Sequence, residues 1–204
     1  FMEHQQNRVH LLDAEHFRIA GREDTYCAWP WTGGIENFGG GEITITFTER
    51  PCAYRTLDDV EHHETGARQV LLRSFDGGQT WPEGERVVLR DNRIPFNALF
   101  PEGWGEDQRE TIDMFQPDAV LSAWRSREKD PPVAFVLRSA DKGRTWERVP
   151  IVLDRFHLHS IWGGTHYLKR PSGVLLLAMG VYAHPGRPGR SVLYGSTDHG
   201  LHWY

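Results

Sequence analysis

Apolar residues in this chain come in short runs separated by clusters of turn formers. Val70-Leu71-Leu72, Val133 to Leu137 and Val192-Leu193-Tyr194 are such runs, and Val87-Val88-Leu89 and Ile151-Val152-Leu153 are two more. Glu42-Ile43-Thr44-Ile45-Thr46-Phe47 alternates with a period of two, the signature of a strand with one buried face. Val174-Leu175-Leu176-Leu177-Ala178 is a further apolar run, read as a strand. No segment longer than a few residues keeps a 3.6-residue apolar period, so very little helix is expected.

The runs are ordered by an internal repeat. Ser74-Phe75-Asp76-Gly77-Gly78-Gln79-Thr80-Trp81 returns as Ser139-Ala140-Asp141-Lys142-Gly143-Arg144-Thr145-Trp146, and again as Ser196-Thr197-Asp198-His199-Gly200-Leu201-His202-Trp203. The spacings are 65 and 57 residues. Each octet follows an apolar run and has the chemistry of a tight turn. Asp accepts bonds from nearby backbone N–H groups, Gly takes a positive φ, and Trp folds back as a plug. Turns at Gly39-Gly40-Gly41 and Pro171-Ser172-Gly173 open the strands upstream of two octets. Each repeat therefore predicts four antiparallel strands, one propeller blade, over about 17–90, 91–153 and 154–204. The middle repeat is the least regular, and Arg93 to Met114 is expected to be an insertion.

Composition narrows the classes. The chain has 204 residues, 39% hydrophobic and 25% charged, with 8 Trp, 21 Gly and 12 Pro. These are ordinary globular values with an excess of turn formers and flat side chains. No run approaches the roughly 20 apolar residues of a membrane helix, so no membrane partner is expected. The first residues have no apolar signal-peptide core. A net charge of -5 without clustered Lys and Arg argues against nucleic acid.

Cys27 and Cys52 lie almost symmetrically about Gly39-Gly40. Full in-register pairing would bring the sulfurs together, but strands usually run about 5–6 residues. A disulfide and two reduced, buried thiols are both compatible with this spacing, and the compartment stays open.

The octet is the Asp box, or bacterial neuraminidase repeat, and three copies at blade spacing resemble the sialidase-like six-bladed β-propellers. Phe17-Arg18-Ile19-Ala20 looks like the Phe-Arg-Ile-Pro motif of that family, with Ala in place of Pro. Thr48-Glu49-Arg50 is similar to its Ala-Glu-x-Arg stretch, and Gly163-Gly164-Thr165-His166-Tyr167-Leu168 looks like its third-blade inner strand. The resemblance implies an all-β, six-bladed propeller of which this chain supplies about three blades. It follows that either the full protein continues past Tyr204 or two copies associate, a homodimer if the chain is complete.

The family's chemistry uses an arginine cluster that holds a substrate carboxylate, which suits the bidentate geometry of guanidinium. Arg18 matches its first member. The acid/base Asp is expected just upstream of Arg73-Ser74, where this chain has Glu64-Thr65-Gly66-Ala67-Arg68. Asp58, Asp59, Glu61 and Glu64 crowd the preceding loop, and Glu64 is the candidate for a displaced acid, with mutual repulsion raising one carboxyl. A solvated acidic loop is the alternative.

Axial strands should add substrate-binding residues: Trp29 and Trp31 for stacking on sugar rings, Asp118 near Gln116, and His159 and His166 as donors or bases. His157 and His159 share a strand face but fix no third ligand, so neither metal nor cofactor is assigned. The expected partner is a carbohydrate. Three readings follow: a sialidase-like glycoside hydrolase, not a standard sialic-acid hydrolase; a non-catalytic carbohydrate-binding or adhesive propeller; and a half-propeller that works only as an assembly.

Overall fold

The computed structural model describes residues 16, 18–28, 34–56, 59, 66–126, 133–153, 160–162, 166–182 and 189–204. They form an all-β protein of three antiparallel sheets. The first contains β1 (Thr25–Ala28), β2 (Ile35–Gly39), β3 (Glu42–Pro51), β4 (Arg68–Ser74) and β5 (Val87–Asp91). Both β1 and β2 pair β3, with Ala28 opposite Thr48 and Ile35 opposite Ile45, so together they occupy one strand position. The second sheet is β6 (Val120–Ser126), β7 (Val133–Ser139) and β8 (Ile151–Val152). The third places β9 (Ser160–Trp162) and β10 (Tyr167–Arg170) along one edge of β11 (Val174–Tyr182), with β12 (Arg190–Ser196) on the other.

The first sheet thus has the expected four strand positions. The second has three among the described residues, and no described strand pairs the free edge of β6. The segment expected as an insertion holds two 3-10 turns, Phe96–Leu99 and Glu106–Gln108. It is not merely a surface loop: Phe96 is buried against Phe135 at 5.1 Å and joins the core formed by Trp124, Val133 and Leu137.

The three octets are superimposable in their bonding. In each, the Ser hydroxyl accepts the N–H of the fifth residue at 2.9 Å (Gly78, Gly143, Gly200). Each Asp takes the backbone N–H of the seventh residue and a second bond from its side chain, at 2.6 Å from Thr80, Thr145 and His202. The imidazole of His202 therefore does what the threonine hydroxyls do. The indole N–H of Trp81, Trp146 and Trp203 closes the turn on the Gly carbonyl at 2.8–3.0 Å. The fourth position has positive φ even where it is not glycine, at Lys142 and His199.

Adjacent sheets are joined by a second repeated device. Arg73, just before the first octet, donates to the carbonyl of Lys142 at 2.7 Å, and Arg138, just before the second, donates to that of His199 at 3.0 Å. Both acceptors are fourth residues of the following octet. Arg73 is paired with Glu42 at 2.7 Å, and Arg138 with Glu147 at 2.6 Å, so neither buried guanidinium is left uncompensated. Leu71 packs so closely on Gly143 that a Cβ there would stand 2.8 Å from its Cδ1. The third sheet departs from the rule. Gly195 stands where the other two have arginine, the Tyr204 ring lies over it, and Leu193, the counterpart of Leu71, is 62% exposed.

The thiols of Cys27 and Cys52 are free. The register separates them: Cys27 is opposite Glu49, while the backbone N–H of Cys52 reaches the carbonyl of Asp24.

Candidate functional site

Strand β3 has two chemically different ends. Glu42, at its start, lies among the octets and bonds Arg73, Lys142 and Arg144 at 2.7–2.8 Å. Glu49 is seven residues further on, about 23 Å away along an extended chain. At that end, on the face that carries Cys27, the segment around Arg18 and the turn before β5 enclose a cleft of about 310 Å³.

Four arginines line the cleft, Arg18, Arg22, Arg68 and Arg86, against two carboxylates, Glu49 and Glu83. Glu49 is buried and paired with Arg68 at 2.5 Å and with Arg86. Glu83 is bonded by Arg86 at 2.7 Å, which with Arg22 nearby holds its carboxyl below the usual range. Arg18 is exposed and forms no ion pair with a described residue. The cleft therefore has a surplus of guanidinium and suits an anion. Burial, and next to it Glu49, pushes the Cys27 thiol up to about 11, so it enters this site as a neutral group.

Of the residues expected to carry chemistry, Arg18 is in this cleft. Asp118 is at the octet end: its carbonyl accepts the backbone N–H of Lys142 at 2.7 Å and its carboxylate lies 3.8 Å from the Lys142 side-chain ammonium. The first octet has the same bond from Gly77 to the Gly41 carbonyl at 2.9 Å, so Asp118 occupies a turn position. His166 is exposed at the start of β10, its ring 5.8 Å from that of Tyr167. Glu64, Trp29, Trp31 and His159 lie outside the described residues, as do His157, Asp58 and Glu61. Asp59 takes the backbone N–H of Arg55 at 2.8 Å, and that bond holds its carboxyl below the usual range. Gly66, with φ of 70°, and the buried Ala67 fill the stretch where an acid was sought.

A second group lies near the free edge of β6. Glu36 of β2 and Tyr167 of β10 are hydrogen-bonding partners, with His166 and Lys169 beside them. Burial is the main cause that raises both the Glu36 carboxyl and, far more, the Tyr167 hydroxyl. Burial likewise lowers the Lys169 ammonium.

Sequence reasoning passed over Glu36, Arg22 and Arg86. The available signal was parity, since Cys27 and Glu49 face one way and Glu36 the other, but parity has to be anchored to a register. The register is interrupted between β1 and β2.

Solved structures similar to this chain at low identity include the following three. The α-L-arabinofuranosidase ARB93A from Fusarium graminearum, in complex with an iminosugar inhibitor, is 18% identical over 86% of this chain and 47% of its own, with a TM-score of 0.48. The Trypanosoma rangeli sialidase in complex with 2,3-difluorosialic acid is 16% identical over 81% of this chain and 26% of its own, at 0.42. A protein described as a glycoside hydrolase is 14% identical over 88% of this chain and 54% of its own, at 0.44. The chain thus spans about half of these proteins or less. No family model matches it, and no curated protein does.

Proposed function

We propose that the chain is part of a sialidase-like β-propeller, six-bladed in the whole protein, which acts on a glycan as a glycoside hydrolase other than a standard sialic-acid hydrolase. The three octets support the fold. The observation that carries the function is the arginine cleft, in which Arg18 offers an uncommitted guanidinium beside Arg22. An acidic sugar presents a planar carboxylate that this pair can take bidentately. Glu49, between Arg68 and Arg86, is committed to holding those two arginines and is not the reacting acid.

A second reading, binding without turnover, is favoured by Gly66-Ala67-Arg68. No carboxyl stands there.

Sialosides and uronic-acid glycosides, incubated with the protein, separate the readings. Release of free sugar supports the hydrolase, and binding without release supports the second reading. Arg18→Ala should weaken binding of either glycan about tenfold or more, as for the loss of a charge-assisted hydrogen bond. Acidic glycans that neither bind nor turn over would sink both.

A further inference from the structure

The two joints inside the chain follow one rule. The residue three positions before an octet is covered by the following sheet: Leu71 is 2% exposed, with its Cδ1 against Gly143, and Val136 is 0% exposed, in the core shared with the third sheet. The fifth residue of the following octet is the socket. At Gly143 a Cβ would take the space of Leu71, and at Gly200 it would stand 3.6 Å from the Arg138 stem. Close packing of this kind leaves room for glycine and little else.

The third sheet presents the same outward face uncovered. Leu193, at the position of Leu71, is opposite Ala178, while Leu168 is opposite Leu176, which is opposite Gly195 beneath the Tyr204 ring. Leu168 is 59% exposed, Leu193 62% and Tyr204 64%, and Ala178 is exposed between them. These residues form one continuous apolar face, of the kind that marks a contact surface. At the other end of the molecule the first octet has an unfilled socket. Among the described residues, a Cβ at Gly78 would meet its own sheet alone, Trp81 at 3.6 Å and Ile43 at 4.0 Å.

We propose that the open face of the third sheet docks a second copy of this chain, with Leu193 of each copy seated on Gly78 of the other. The unfilled leucine and the unfilled glycine are the two halves of a joint that the chain already makes internally, which is why a second copy fits the face. Reciprocal seating closes the pair about a two-fold axis and leaves neither half exposed. Ile43, beside Gly78, has the same parity along β3 as Glu49, so the seated sheet lies on the face of β3 that carries the arginine cleft. Reading the resulting pair as one closed propeller rests on the six-bladed reading above, while the joint rests on the geometry of the octets.

Sedimentation of the full chain at micromolar concentration tests the proposal and should give twice the mass of one copy. Leu193→Glu, at an exposed position, should leave a folded monomer and weaken association about a hundredfold or more, as for a charge buried without a partner. Gly78→Ala should do the same from the socket side, with circular dichroism as the check on folding. Ile43→Asn repeats that test if alanine, at a φ of 92°, does not fold. A monomeric parent overturns the proposal, whether the face stays bare or another part of the protein covers it. A dimer that the folded socket variants leave intact is joined back to back through its two third sheets, and that overturns it as well. None of these outcomes depends on a sugar, so loss of the dimer leaves the glycan reading standing, and failure of acidic glycans to bind leaves the dimer.

Discussion

Arg138 is buried at the octet end of the second sheet, neutralised by Glu147 and bonded to a carbonyl of the next sheet. Arg18, in the cleft on the first sheet, is exposed and meets no carboxylate among the described residues. The same functional group thus serves two ends. Where it is buried and compensated it joins sheets, and where it is open and uncompensated it is free to take a ligand. Compensation, more than the presence of arginine, separates the structural end of this molecule from the candidate functional one.

The largest effect should come from breaking the compensated end. Arg138→Met leaves Glu147 buried without its main partner and should cost about 3–5 kcal/mol, read by urea denaturation. Arg73→Met should cost less, because Glu42 keeps Lys142 and Arg144. Equal losses would mean that Arg109, 3.9 Å from Glu147, compensates that carboxylate as fully as Lys142 and Arg144 compensate Glu42.

Acid should dissolve the same end next. In Asp76 the bonds from Thr80 hold the carboxyl low; in Asp141 burial works to raise the carboxyl, and the bonds from Thr145 and Ser139 outweigh it and hold it low. A folded value below the unfolded one means stability that is present above the ordinary 3.8 and is lost as pH falls through the folded value. Thermal melts should therefore show Asp141→Asn much weaker than the parent at pH 6, with the gap narrowing as the pH falls below 3.8.

Glu36 has the opposite sign and sharpens the contrast. Its carboxyl is raised by burial above the ordinary 4.5, so its contribution is best in acid and declines as pH rises through the folded value. Glu36→Gln should be neutral to slightly destabilising at pH 4 and should gain on the parent by pH 8. A difference in Tm that does not change with pH would break this assignment.

Smaller still, the Cys27 thiol, pushed up to about 11, should react slowly with iodoacetamide at pH 8 and faster above pH 10, with Glu49→Gln increasing the rate at the lower pH. The least effect on stability belongs to Arg18→Ala, within about 0.5 kcal/mol of the parent as for an uncoupled surface residue, even though its effect on acidic glycans should be large.

The legible part of this protein was the part whose interactions are short in sequence. Every bond inside an octet joins residues at most four apart, so Ser74 to Trp81 carries its own turn wherever it is placed. The strands before the octets and the two glycine turns were readable for the same reason. The interruption between β1 and β2 was not, and it set the offset that kept Cys27 from Cys52. The readable candidates also scattered: Arg18 reached a cleft, Asp118 became a turn residue beside Lys142, and His166 came next to a carboxyl that no motif had marked.

Sequence alone determined the all-β class, the three octets and the turn chemistry of their Asp, Gly and Trp. Tertiary structure decided which arginines are compensated, that Gly195 and Tyr204 replace the joint used between the other sheets, and that Glu36 meets Tyr167. Those pairs lie 9 to 131 residues apart along the chain. Their contact depends on strand register and on which face each side chain takes, and a one-residue slip would reverse that face.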